Sequence, residues 1–243
     1  MLKLISLNIE GDNHYDKIFP FFKKENPDVI CLQEMWEVDI PMFEEKLGMK
    51  GTHISMASIT QPNPYRLAQK GNWGIALFTK LPVTTSAVLY KGEPNTVPDF
   101  VIGEPNSVNR YVLFADVEKD GQVYHLAMTH FTWADDGGTN EDQQKDIHTL
   151  FSVLDSHFEL ILTGDFNSPR GGEIFSLLAE KFTDNIPQDV QTTIDNDLHR
   201  VGDTLRPLVV DHLFTTPQYS AHDVRVVSGV SDHMAIVAEI EKK

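Results

Sequence analysis

The chain has 243 residues, 41% hydrophobic and 9% aromatic, enough for a sizeable core at the upper edge of what one domain holds. Its formal net charge of −16 argues against a protein that grips long duplex DNA nonspecifically, which needs a basic face. No apolar run reaches the ~20 residues of a membrane helix, the N-terminal stretch turns polar at Asn8, too early for a signal peptide, and the single Cys31 permits no internal disulfide, so a soluble cytoplasmic chain is expected.

Residues 2–8 read as a buried strand, followed by a polar turn and an amphipathic helix near 14–25. Pro27-Asp28 starts the apolar strand 28–34, in which Cys31 sits as a small buried hydrophobe. A helix near 40–47 has Asp39 as its expected N-cap and Pro41 in its first turn. Strands follow near 52–57, 74–80 and 84–90, then a hairpin of 109–118 and 122–131 closed by Asp120-Gly121. The helix near 140–157 is preceded by Thr139, with Asp142 three residues on, a variant of the capping box. A strand at 159–164, a helix near 172–182, and strands near 208–215, 222–228 and 234–240 complete a mixed α/β architecture. No repeat or linker interrupts residues 1–243, so a single domain is expected. Two long irregular segments, 59–72 and 91–108, are expected to rim a binding cleft.

Chemistry concentrates where apolar strands stop. Six such runs end in a polar residue of metal-ligand or phosphate-binding type: Asn8, Glu34, His130, Asp165 with Asn167 beyond it, Asp211, and Asp232-His233. Taken singly, Asn8 or Asp165 serves equally well as a turn or helix cap. Taken together, carboxylates at buried strand ends need partners, and a shared cation is an economical one. Glu34, Asp232, Asp165 and the amide oxygens of Asn8 and Asn167 are hard oxygen donors, with no cysteine cluster or paired-histidine motif to suggest zinc, so Mg2+ or Mn2+ is expected. Of the two Asp-His dipeptides neither is a working pair by itself, because sequence neighbours on a strand point to opposite faces. Asp211 is expected to orient His233 across strands, leaving His212 a bystander. The remaining histidines, His14, His53, His125, His148, His157, His199 and His222, have no supporting context. Arg66, Lys70, Arg110, Arg170, Arg200 and Arg206 form a local basic patch or a scatter of surface cations. Trp73 and Trp133 stand beside motif positions, where each either stacks on a base or phenolic leaving group or serves as a core aromatic.

Asn8, Gln33-Glu34, the run 71–76 (Gly-Asn-Trp-Gly-Ile-Ala), Thr129-His130, Gly164-Asp165-Phe166-Asn167 and Ser231-Asp232-His233, in that order, resemble the motif series of the endonuclease/exonuclease/phosphatase superfamily. That group includes deoxyribonuclease I, abasic-site endonucleases, inositol polyphosphate 5-phosphatases, sphingomyelinases and tyrosyl-DNA phosphodiesterases. The resemblance implies a four-layer αββα sandwich with the site where strand ends of both sheets converge. It implies Glu34 as principal metal ligand, assisted by Asn8 and Asp232; His233, polarised by Asp211, on the phosphate or the water; Asp165 and Asn167 positioning the nucleophile; and His130 contacting phosphate. Whether Asp165 or His233 is the base stays open, and Arg110 either contacts phosphate or braces its strand. The segment 206–212 lacks the Trp-Cys-Asp-Arg type signature of inositol 5-phosphatases, and no basic extension like those of abasic-site nucleases is present. The expected activity is hydrolysis of a phosphodiester or phosphomonoester, on a small molecule or a nucleic-acid end. The competing readings are a DNA-directed nuclease or repair phosphodiesterase, and a catalytically silent module that binds phosphate or protein.

Overall fold

The computed structural model describes residues 1–65, 67–202 and 206–243. Two six-stranded mixed sheets dominate it. In the first, β1 (Leu2–Asn8) runs parallel to β2 (Val29–Trp36) across the helix α1 (Tyr15–Glu25). β4 (Gly71–Thr79) and β3 (Lys50–Ile59) extend that sheet on one side, with α2 (Ile40–Leu47) entering between β2 and β3 in the chain. β12 (Ala235–Lys242) and β11 (Tyr219–Val227) extend it on the other side. The second sheet orders β5 (Val83–Lys91), β6 (Arg110–Lys119), β7 (Gln122–His130), β8 (Ile161–Asp165), β10 (Asp211–Thr215) and the two-residue β9 (Thr183–Asp184). Here too the central pair, β7 and β8, is parallel and joined by a helix, α3 (Glu141–Leu154), while α4 (Glu173–Lys181) follows β8.

Period-2 alternation builds the layers. Leu2, Leu4, Val29, Cys31, Leu126, Met128, Ile161 and Leu213 meet in one core between the sheets. Their neighbours Ile5, Leu7, Ile30 and Leu32 pack outward on Ile18, Phe22 and Phe43 of α1 and α2. Ala127, Leu162 and Phe214 pack outward on Ile147, Leu150, Ile174 and Leu178 of α3 and α4. The result is the expected αββα sandwich. Among the described residues no helix is long and apolar enough to cross a membrane.

The 110–119/122–130 hairpin closes on Asp120 and Gly121 at φ 53 and 76, the left-handed pair of a type I′ turn. Two expected caps differ. The α3 N-cap is Asn140, not Thr139, because the Asn140 side chain is the one that accepts from Gln143 N–H. Asp39 stands at the α2 N-cap position without a capping bond; its carboxylate accepts from Tyr15 Oη at 2.8 Å and pairs with Lys70 Nζ at 2.9 Å instead.

Candidate active site

Register decides which strand ends share a face. His130 lies opposite Asp165 across β7 and β8, and Asp165 lies opposite Asp211 across β8 and β10. All three sit an even number of residues from inward-facing Met128, Ile161 and Leu213, so their side chains turn toward the space between the sheets. On the facing sheet Asn8 has the same parity as Leu2 and Leu4 and lies in register with Gln33. Its amide bridges the two sheets: Nδ2 donates to Glu34 Oε1 at 3.0 Å and to Asp165 Oδ2 at 3.1 Å, while Oδ1 accepts from Glu10 N–H at 3.2 Å.

Glu34 reaches the cleft by breaking the ladder. The pairing of β2 with β4 slips between Gln33 and Met35, leaving Glu34 as the extra residue of a bulge at φ 64. A non-glycine residue held in the left-handed region costs roughly 1–2 kcal/mol, and such strain collects at functional positions. Asn167 adopts φ 49 in the turn after β8, where its N–H donates to Asp165 Oδ1 at 2.8 Å and its Nδ2 to the Phe131 carbonyl at 3.0 Å. Gly164 is required in the same motif: at φ 145, a β-carbon there would collide with the Thr129 carbonyl oxygen.

His233 Nδ1 donates to Asp211 Oδ2 at 2.9 Å, and its Nε2 faces Asp165 Oδ2 at 3.9 Å, beyond hydrogen-bond range. Burial alone would lower the imidazole, but Asp211 and then Asp165 hold it well above the ordinary histidine value. His130 shows the opposite balance. Burial takes it down to about 3, so it is neutral at pH 7 and its 3.5 Å approach to Asp165 is a neutral contact. Trp73 packs its ring 5.7 Å from that imidazole.

The acidic side is crowded. Burial, with Asp232 and Asp165 nearby, raises the Glu34 carboxyl to about 8, and burial raises Asp232 to about 6 despite His233. A cluster that suppresses its own ionisation this far is matched by a bound divalent cation, whose charge would favour the carboxylates, and the oxygen donors suit a hard ion. Among the described residues, two groups have ligand atoms within 4.8 Å of one another: Asp165, Asp211 and His233, and Glu10, His14 and Asp232.

Glu10 and His14 escaped the sequence reading, which set His14 aside. Glu10 sits at φ 48 two residues past the end of β1, accepts from His14 Nε2 at 3.0 Å, and lies 3.9 Å from Arg200 Nη1. Burial would raise its carboxyl, but hydrogen bonds from His14 and Asn13 outweigh this and lower it. The available signal was the spacing Asn8-Ile9-Glu10, with a second oxygen donor two positions after the strand-end amide. His199, also set aside, lines the cleft, lowered to about 4 by burial and by nearby His233 and Arg200. His212 lies outside the cleft, fully buried with Nε2 donating to the Ser168 carbonyl at 3.1 Å.

Glu10, Glu34, His130, Asp165, Asp232 and His233 line a cavity of about 400 Å³ that also includes Tyr65, Leu67, Phe100, Gly103 and Pro105. The two long segments therefore rim the cleft as expected. Two of the anticipated basic residues are committed elsewhere: Lys70 to Asp12 and Asp39, and Arg170 to Asp184 and the Ile186 carbonyl. Arg110 donates to the His130 carbonyl at 2.9 Å and lines the cleft; Arg200 lines it as well, and Arg66 lies outside the described residues.

The sequence profile of the Endonuclease/Exonuclease/phosphatase family matches residues 5–233. No curated protein matches the sequence at a significant level. Among solved structures, an endonuclease/exonuclease/phosphatase from Bacteroides vulgatus is 16% identical with a TM-score of 0.74, the match covering 100% of this chain and 99% of that one. The catalytic domain of human nocturnin, solved with bound sulfate, is 15% identical with a TM-score of 0.67, covering 100% and 94%. A mannosyl-6-phosphatase from Bacteroides thetaiotaomicron is 13% identical with a TM-score of 0.67, covering 99% and 100%. At these identities the structural likeness is one of fold.

Proposed function

This chain belongs to the endonuclease/exonuclease/phosphatase family, and we propose that it is, over one domain spanning residues 1–243, a Mg2+- or Mn2+-dependent hydrolase of phosphate esters. The observation that carries the reading is the convergence of Asp165 and the Asp211–His233 pair, from one sheet and the final loop, with Glu34 and Asp232. Glu34 and Asp232, joined by Glu10, would hold the cation, with Asn8 fixing Glu34 through its amide hydrogens rather than offering its oxygen, which Glu10 N–H occupies. A cation bound there neutralises charge on the phosphoryl and leaving oxygens.

The chain's own groups account for the rest. His233, charged and aimed at the cleft by Asp211, binds a phosphoryl oxygen; neutral His130 contacts a second. Asp165, held by Asn8 and by the Asn167 N–H, orients water for in-line attack and takes its proton, with Asn167 beside it. The water oxygen bonds to phosphorus as the ester P–O bond breaks and its electron pair leaves with the alcohol oxygen. The mannosyl-6-phosphatase neighbour supports monoesters as substrates alongside diesters. The buried, unpaired Cys31 accords with a cytoplasmic setting.

The test is turnover of 4-nitrophenyl phosphate and bis(4-nitrophenyl) phosphate with Mg2+ or Mn2+, with and without chelator. Metal-dependent hydrolysis that disappears in Glu34→Gln is expected. Chelator-insensitive turnover, or full activity in Glu34→Gln, would falsify the assignment.

A further inference from the structure

The far end of the cleft differs in kind from its acidic floor. Tyr65 and Phe100, one from each long rim segment, meet edge to face with ring centroids 5.7 Å apart, and the Arg200 guanidinium lies 5.3 Å over the Tyr65 ring. Trp133 lines the same cleft and leaves 38% of its surface exposed. An exposed tryptophan would ordinarily be poorly held, yet its backbone is tied on both sides. Trp133 N–H donates to Asn106 Oδ1 at 2.9 Å, and its carbonyl accepts from Asn106 Nδ2 at 2.9 Å and Asn140 Nδ2 at 3.0 Å. Phe100 is fixed likewise, its N–H on the Ser58 carbonyl at 2.9 Å. Trp73, by contrast, is a buried wall behind His130.

An exposed tryptophan with a tied backbone, and a half-buried aromatic pair lining the same phosphate-sized cleft, ask for a flat partner. Leu67 is the one long aliphatic side chain in the lining among the described residues, which does not suit an acyl chain. A cavity of about 400 Å³ and a charge of −16 do not suit duplex nucleic acid. Arg200, planar and already stacked on Tyr65, adds a cationic face to the same shelf. We infer that the ester taken by this site carries an aromatic ring, in a molecule of mononucleotide size, which seats against Tyr65, Phe100 and Trp133 while its phosphate reaches Asp165 and His233. The inference rests on the proposed hydrolase reading for the phosphate end and on the aromatic shelf alone for the ring.

Adenosine 5′-monophosphate and ribose 5-phosphate, each also as its phosphate methyl ester, share the reacting centre and differ only in the base. In Mn2+, kcat/KM should favour the adenosine member by about tenfold or more, the scale of a base–aromatic stack. That preference should fall toward one in Tyr65→Ala and in Trp133→Ala. Equal values, a preference that survives both substitutions, or faster hydrolysis of mannose 6-phosphate or phosphatidylcholine vesicles would overturn it. Binding is read separately by titrating adenosine and ribose into chelator-treated protein and following tryptophan emission, with Trp133→Phe as the blank. Saturable quenching by adenosine alone supports the ring site even if no ester is hydrolysed, in which case only the hydrolase reading fails. No quenching by adenosine overturns the ring site.

Discussion

The dipeptide Asp-His occurs twice, and its two copies end in opposite environments. His212 points outward from β10, fully buried, with the rings of Phe175 and Phe214 5.0 and 5.2 Å away, and burial lowers it to about 4. His233 points into the cleft and is raised, because Asp211 stands 2.9 Å from its Nδ1 and Asp165 lies beyond. Two buried imidazoles are thus driven in opposite directions. What separates them is the carboxylate opposite each ring, and that is set by strand pleat and by which strand lies next door, not by the preceding aspartate.

That contrast can be broken most forcefully at His233. His233→Ala should lower kcat by roughly 10²–10³-fold, the scale of a donor to the charge developing on the phosphoryl oxygens, with the fold intact by circular dichroism. A near-wild-type kcat would leave His233 no closer to the chemistry than His212.

Proton linkage sharpens the comparison at intermediate size. In the cation-free protein Glu34 and Asp232 are raised to about 8 and about 6, and His233 is raised as well, so the folded chain retains protons that the unfolded chain has released. The sign is the same for all three: stability falls as pH rises from the ordinary carboxyl range through about 8. Melting temperatures from pH 7 to pH 8.5, above the range in which the lowered His130, His199 and His212 oppose the trend, should therefore decline in chelator, more shallowly in Glu34→Gln, and the decline should shrink with Mn2+. A cation-free melting temperature that climbs across that window would contradict the crowded acid cluster.

The smallest effect belongs to His212. His212→Leu leaves the Ser168 carbonyl without its donor and should cost about 1–3 kcal/mol of stability, measured by urea unfolding, with kcat within a few-fold of wild type. A large catalytic loss at unchanged stability would show that the outward face of β10 also serves the reaction.

Much of the site was legible because strands impose a short period. Asn8, His130, Asp165 and Asp211 each end an apolar run, and parity alone places them on the face shared with Leu4, Met128, Ile161 and Leu213. The hairpin at Asp120-Gly121 followed from an equally local rule, and the Asp211–His233 pairing from strand geometry that turns Asp-His neighbours to opposite faces. The Thr139 cap did not, because Asn140 offers the same capping chemistry one residue later and adjacent candidates look alike in sequence.

By itself, then, the sequence determined the mixed α/β order of elements and the oxygen-rich strand ends, since each depends on alternation or turn chemistry within a few residues, while the layering followed from the resemblance to the family. Only the tertiary structure decided that Glu34 enters the cleft through a bulge, that the Asn8 amide turns its hydrogens toward Glu34 and Asp165, that Glu10 and His14 join Asp232, and that Tyr65, Phe100 and Trp133 line one cleft. Those arrangements depend on left-handed backbone, amide orientation and contacts between segments far apart in the chain, and no local periodicity encodes them.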